Sequence, residues 1–261
     1  MSVEETSSGG GWLRPSEQPF YRRAMDWVSF VRREMNWKLT DFLTPRELQI
    51  LESTARRERC VITGYGGALV CERQRAYIMP DDWQPQPTDF AVVLLKAATA
   101  EGTLSHSAVL GSILGTGIDR RKIGDIEVDG NTAIVAVCED IVPFLKSNWQ
   151  QAGRHAISLA VTEGMTFHGP TYERQQVSLA SLRLDALIGA CCHWSRTKAK
   201  DAVTSGDVTL NFGEVDAPDE NLTEGDIISV RHFGRIRVFT AVGESRKGRL
   251  RIEVGILKSK S

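Results

Sequence analysis

Between Phe90 and Glu163 the hydrophobic period switches repeatedly, and the order of those switches narrows the fold more than any other property of the chain. Phe90 to Ala97 is a nearly continuous apolar run, the pattern of a buried strand. Ser105 can cap a helix carrying Val109, Leu110, Ile113 and Leu114, stopped by Gly115 or Gly117. Asp125 to Val128 and Ala133 to Cys138 read as strands joined by the hairpin signal Asp129-Gly130. Ile141, Val142, Leu145 and Trp149 give a second helix that stops near Gly153. Its acidic start, Glu139 and Asp140, suits the positive end of a helix dipole. Ala156 to Val161 is the last strand.

Strand, helix, strand, strand, helix, strand is the split βαβ plan of ferredoxin-like and RRM-like domains. The plan alone fixes no function. The aromatic RNA-stacking signature of RRM sheets is absent from these strands. The segment's candidate for nucleic acid is the loop from Gly115 to Gly124, with Arg120, Arg121 and Lys122. A solvated basic turn is the alternative, and the sequence leaves both open.

Ahead of this segment, Phe20, Ala24, Trp27, Val28 and Val31 recur at helical spacing and predict a helix from Pro19 to Met35. Thr44, Pro45 and Glu47 form a helix-start signal with a capping box, and Leu48 and Leu51 give that helix an apolar face. Cys60 to Thr63 and Ala76 to Met79 are short extended candidates around Gly64, Gly66 and Gly67, and Pro80 to Thr88 reads as a linker.

The third segment, from about Gln176 to Leu257, carries the chemistry. Arg183-Leu184-Asp185 opens a helix with Leu184, Leu187 and Ile188 on one side. Ser195 can cap a second helix from Arg196 to Thr204, whose inner face is Ala199, Ala202 and Val203. Arg196 and Lys200 share a face at i, i+4, with Lys198 between them. Two like charges at that spacing disfavour an isolated helix by a few tenths of a kcal/mol. Phosphate over the helix start reverses the sign. Strands follow at Val208 to Phe212, Ile227 to Arg231, Arg235 to Ala241 and Leu250 to Ile256. Arg235 and Arg237 project from one strand face, Arg249 and Arg251 from one face of the next, and Arg246 and Lys247 lie in the turn between. Arginines gathered on one side weaken a sheet until a polyanion covers them, and the planar guanidinium suits phosphate.

Net charge is −1, so a nucleic-acid binder of this composition must segregate its 32 basic residues into patches. Cys60, Cys71, Cys138, Cys191 and Cys192 show neither zinc-site nor disulfide-framework spacing and read as buried apolar side chains. The glycines Gly111, Gly115 and Gly117 make no dinucleotide fingerprint, no P-loop is present, and the five histidines are scattered. No apolar run reaches the roughly 20 residues of a membrane span. His193-Trp194 precedes the basic helix, where an aromatic can stack on a base or pack in the core.

Three stretches keep order and spacing over residues 181–211: Ser181-Leu-Arg-Leu-Asp-Ala-Leu-Ile, His193-Trp-Ser-Arg-Thr-Lys-Ala-Lys, and Gly206-Asp-Val-Thr-Leu-Asn211. Together they resemble the S4 RNA-binding domain, with Leu222 to Arg231 as its closing strand. Lys38 to Glu47, Gly115 to Ile126 and Phe233 to Arg237 extend the resemblance to the YlmH-like S4-domain proteins. The branch most similar is the one labelled photosystem II S4-domain protein. The resemblance implies a non-catalytic factor that docks on the large ribosomal subunit, on rRNA and with tRNA as a further candidate partner, in ribosome-associated quality control. An RNA-modifying enzyme and a photosystem assembly factor are the alternative readings. Asp185 needs weighing in the enzyme case, because an Arg-Leu-Asp triplet is catalytic in pseudouridine synthases. Its other reading is a favourable charge at a helix start.

The expected organisation is α+β. Residues 1–15 form a disordered tail, 16–89 an N-terminal helical or α+β segment, 90–165 a central ferredoxin-like (RRM-like) domain, and 176–257 a C-terminal S4 RNA-binding domain. The expected RNA-binding residues are Arg183, Ser195, Arg196, Lys198, Lys200, Asn211, Arg231, Arg235 and Arg237, with Arg120, Arg121 and Lys122. No cofactor, metal, DNA or transmembrane segment is expected, and the protein is expected to be a cytoplasmic monomer. The Arg231-His232-Phe233 stretch departs from the arginine-glycine pair often found before the family's final Gly-Arg motif.

Overall fold

A computed structural model describes residues 13–68, 71–80, 83–162, 171–244 and 248–258. Most of the expected disordered tail and the turn with Arg246 and Lys247 lie outside the described residues. The chain divides into two compact units, Met1–Phe167 and His168–Ser261, both mixing helices with antiparallel sheets in the expected α+β class.

In the first unit, α1 (Gln18–Glu34) buries Ala24, Val28 and Val31, one apolar stripe at helical spacing. Strand β1 (Lys38–Leu43) follows. Next, α2 (Pro45–Arg57) starts with the expected reciprocal cap: the Glu47 amide donates to the Thr44 hydroxyl, and the Thr44 amide donates to the Glu47 carboxylate at 2.8 Å. Strands β2 (Val61–Tyr65) and β3 (Gln74–Met79) complete a sheet of order β1-β3-β2. Sequence periodicity missed β1 because both its faces are buried. Leu43 packs among Ala24, Val28 and Ile78, whereas Phe42 points into a separate cluster with Leu94 and Ala136. Burial on both sides erases the alternation by which a half-exposed strand is read.

Phe90 is a correction to the expected strand start. It closes a 3₁₀ turn, Pro87–Phe90, and Ala91 takes a left-handed conformation at φ 48. Its ring is buried edge-on to Tyr77 at 5.1 Å, so the apolar run is divided between a turn and a strand.

The strand β4 itself is Val92–Ala98. After it come α3 (His106–Gly115), β5 (Ile123–Asp129), β6 (Thr132–Cys138) and α4 (Val142–Asn148). A two-residue pair, β7 (Gln151–Ala152) and β8 (His155–Ala156), precedes β9 (Ser158–Thr162). Ala156 therefore belongs to a small hairpin rather than to the last strand. The sheet runs β5-β6-β4-β9, all neighbours antiparallel, the order that the split βαβ plan requires. Leu95, Val135 and Val137 on one face pack against Val109, Ile113, Leu145 and Trp149 of the helix layer. The opposite face meets the preceding segment. Gly124 permits this, because a Cβ there would come within 2.6 Å of the Phe42 ring. Asp125 also accepts the backbone amides of Glu72 and Arg73 at 2.6 and 3.1 Å. Both the three-stranded and the four-stranded sheet thus fall within one compact unit.

The second unit opens with β10 (Glu173–Leu179), a strand that no sequence pattern announced because most of its side chains are exposed and polar. Then come α5 (Leu184–Cys192), α6 (Arg196–Thr204), β11 (Val208–Leu210), β12 (Gly213–Glu214), β13 (Ile227–Val230), β14 (Gly234–Glu244) and β15 (Leu250–Lys258). The sheet order is β10-β15-β14-β13-β11-β12. Ile236, Val238, Ile252 and Val254 face inward against Leu187, Ile188, Ala199 and Val203. The expected strand from Val208 to Phe212 stops at Leu210. Asn211 and Phe212 instead form a two-residue turn with φ 51 and 66, and Leu210 pairs across it with Gly213.

Candidate nucleic-acid interface

Helix α6 begins where the sequence placed it. The Lys198 amide donates to the Ser195 hydroxyl at 3.2 Å, and Ala199 and Val203 hold the helix's inner side against the core. Arg196, Lys198 and Lys200 are left exposed on its outer side. The first turn carries no acidic residue, so the positive end of the helix is uncompensated by its own side chains.

Asp185 organises the cations around it. Its carboxylate is fully buried and accepts from Arg183 Nε and Nη2 and from Arg196 Nε, each at 3.2 Å. Burial pushes this carboxyl up, but the bonds from Arg183 and Arg196 outweigh burial and hold it below the ordinary aspartate value. One carboxylate between two guanidiniums leaves a surplus positive charge. Arg196 keeps its terminal nitrogens outward, with 65% of its side chain exposed. Sequence reasoning gave Asp185 only the role of a charge at a helix start. Its bonds from Arg183 are local, but the bond from Arg196 requires α5 packed against α6, so only the hydrophobic residues around it hinted at its burial.

Lys198 rests over the Trp194 ring at 4.4 Å, and Trp194 itself packs partly against the core. The indole therefore serves the core and a lysine together. Among the described residues no carboxylate pairs with Lys198 or Lys200.

The remaining expected residues are arranged differently. Asn211 turns its side chain inward: its amide donates to Asp226 at 2.8 Å and its carbonyl accepts from the Ile227 amide at 2.9 Å. Arg231 lies in the turn after β13 and reaches Asp207 at 3.2 Å. Arg235 and Arg237 share the outward face of β14, yet stand opposite Leu257 and Gly255 on β15, not opposite its arginines. The direct cross-strand opposition of arginines that the sequence suggested is absent from this register. Arg235 lies over Phe212 and Arg237 over Phe239, at 5.3 and 5.4 Å.

In the first unit, Arg120, Arg121 and Lys122 form a 3₁₀ turn capped by Asp119. Arg120 donates to the Ile123 and Gly124 carbonyls. Arg121 pairs with Asp119 at 2.6 Å and holds that carboxyl down to about 2. Lys122 sits between Asp41 and Asp140 at 2.9 and 2.8 Å, and these two partners raise its pKa despite its burial. All three cations are thus engaged within the unit.

Other chemistries find little footing. The Cys191 and Cys192 thiols are pushed up to about 12 by burial, and Cys71 and Cys138 to about 11, far from the range of a reactive thiolate. Among the described residues no group of three or more His, Cys, Asp or Glu side chains could hold a metal ion. No described helix is long and apolar enough to cross a membrane.

Comparison with known proteins completes the picture. A family model described as a putative RNA-binding domain in YlmH matches residues 85–165. Over 244 residues the chain is 31% identical to the ribosome-associated protein quality control protein P2 of Bacillus subtilis (strain 168), a match spanning 92% of this chain and 95% of that protein. Among solved structures it resembles the cell division protein ylmH from Streptococcus pneumoniae with a TM-score of 0.53 and 25% identity, over 57% of this chain and 92% of that one. Such similarity along nearly the whole length of a relative reflects common descent: the chain belongs to the YlmH family.

Proposed function

We propose that this protein is a non-catalytic, ribosome-associated RNA-binding factor. Its second unit would act as an S4-type domain that docks on structured RNA of the large ribosomal subunit. The observation that carries this reading is the Arg183–Asp185–Arg196 cluster at the start of α6. A buried carboxylate fixes two guanidiniums beside a serine-capped helix end, and Lys198 and Lys200 extend the same exposed side. Such a group of donors suits phosphate oxygens, because a helix N-terminus and a preset guanidinium both favour an anion. Duplex RNA is read largely by its shape and its phosphates, which requires this kind of surface and no sheet aromatics. The names of the relatives, a ribosome-associated quality control protein and a putative RNA-binding domain, support the same reading. Arg121, on the exposed turn of the first unit, is the proposed second contact. A peptidyl-tRNA on a stalled large subunit is the proposed cellular target, and the cytoplasm the proposed compartment.

Sedimentation of a lysate tests the reading. The protein should co-migrate with large subunits, and an Arg196→Glu, Lys200→Glu variant that retains its melting temperature should remain at the top of the gradient. In purified form, neutralising about six phosphates gives a log–log salt slope of about −4 to −5. A slope near zero, or unchanged co-migration of the double variant, overturns the proposal.

A further inference from the structure

The outward face of the six-stranded sheet carries an arrangement that phosphate docking at α6 does not use. Phe239 lies in a bulge of β14, and its ring covers the sheet over Gly255, where a Cβ would come within 2.6 Å of it. Tyr172 meets the ring edge-on at 6.2 Å. Two guanidiniums hold the same ring, Arg174 at 4.3 Å and Arg237 at 5.4 Å. Two residues along β14, about 7 Å away by strand geometry, Arg235 lies over Phe212.

Three features set this face apart from an ordinary basic surface. First, Phe212 occupies a left-handed position, φ 66, at the second residue of a two-residue hairpin turn, where glycine is favoured. A bulky aromatic held there is a genuine conformational outlier, and such strain persists where the side chain has a use. Second, the Arg237 Nε is buried without a hydrogen-bond partner, and no carboxylate pairs with that guanidinium among the described residues. Third, the charge is predominantly positive. Arg174, Arg235, Arg237 and Arg251 project from this face by register, against Glu214 and Glu253, the latter paired with Arg174 at 3.0 Å. Arg174 and Arg237 repel each other across less than one Debye length, about 10 Å at 0.1 M salt. An anion over the ring would relieve that repulsion.

We propose that this face is a stacking platform for unpaired RNA bases, with Phe212 and Phe239 as the ring surfaces and Arg174, Arg235 and Arg237 as the phosphate contacts. Aromatic rings interleaved with cations bind single strands because every base has a π-face and every linkage a charge. The inference rests on the RNA-binding reading above and adds a second form of RNA on a second surface: a single strand on the sheet beside a duplex at α6.

The test uses the full chain and two labelled probes, a uridine oligomer of about twelve nucleotides and a fully paired RNA hairpin. Phe239→Leu keeps an apolar cover over Gly255, and Phe212→Asn places at the turn a residue that tolerates the left-handed conformation. Each variant should weaken the uridine oligomer about tenfold and leave the hairpin within about twofold, whereas Arg196→Glu, Lys200→Glu should do the reverse. Wild-type protein that binds the hairpin but not the oligomer overturns the platform and leaves the α6 reading standing. Equal losses on both probes, or none on the oligomer in folded variants, also overturn it. Wild-type protein that binds neither probe removes the RNA-binding reading itself.

Discussion

Asp185→Asn separates two meanings of the buried carboxylate in the first turn of α5, which holds Arg196 at the start of α6. As a mere counter-charge, Asp185 opposes RNA, and its removal strengthens binding. Its repulsion of a phosphate about 8 Å away is about 2 kcal/mol at the effective dielectric of about 20 that suits a buried group, and screening at about 0.1 M salt cuts that to about 1 kcal/mol. As a positioning residue, it holds Arg183 and Arg196 in the orientation that meets RNA. Each long side chain that must be ordered on binding costs about 0.5–1.5 kcal/mol, so releasing two arginines costs about 1–3 kcal/mol. Positioning wins on balance, and a net loss of about 1 kcal/mol corresponds to roughly fivefold weaker binding. The assay is fluorescence anisotropy with the paired RNA hairpin at two salt concentrations. Affinity should fall although the variant gains a positive charge, and the salt slope should stay constant because the phosphate contacts are the same. The same variant should lose about 1–3 kcal/mol of stability in urea, since charge-assisted bonds to a fully buried group are lost while the half-solvated arginines rehydrate. Tighter hairpin binding by Asp185→Asn refutes the positioning role.

The depressed pKa of Asp185 has a pH signature: its stabilisation is full above the ordinary aspartate value of 3.8 and is lost as the pH falls through the lower folded value. The melting-temperature gap between wild type and Asp185→Asn should be constant at neutral pH and close on strong acidification, and a gap that widens in acid contradicts the assignment. Thr44→Ala removes the reciprocal cap of α2 and should lower the urea stability of the first unit by about 1 kcal/mol. Arg75→Met should cost about 2–4 kcal/mol, because the buried guanidinium donates to the carbonyls of Thr40, Phe90 and Ala91 and methionine leaves them unpaired. Unchanged denaturation midpoints would remove those two assignments.

Local signals in the sequence set much of this architecture. The Thr44–Glu47 and Ser195 caps, the Asp129-Gly130 hairpin and the alternation of Ile236 and Val238 with Arg235 and Arg237 each rest on neighbours within a few residues. Caps, turns and side-chain period are short-range physics, so the α+β class and the basic character of α6 were legible before any contact was known. Strands β1 and β10 were not, because one is buried on both faces and the other is mostly polar, and neither keeps the period of a half-buried strand.

Tertiary structure alone decided what the charges do. Lys122 finds Asp41 and Asp140 from distant parts of the chain and becomes a tie within the first unit. Asp185 becomes an acceptor for Arg196 only when α5 packs against α6. Phe239 reaches Arg174 only because β15 brings β10 and β14 to its two sides. Whether a cation is neutralised or left for a ligand depends on distances of a few ångströms between residues far apart in the chain. Coulomb energy and hydrogen bonding fall steeply over that range, and no sequence period encodes it.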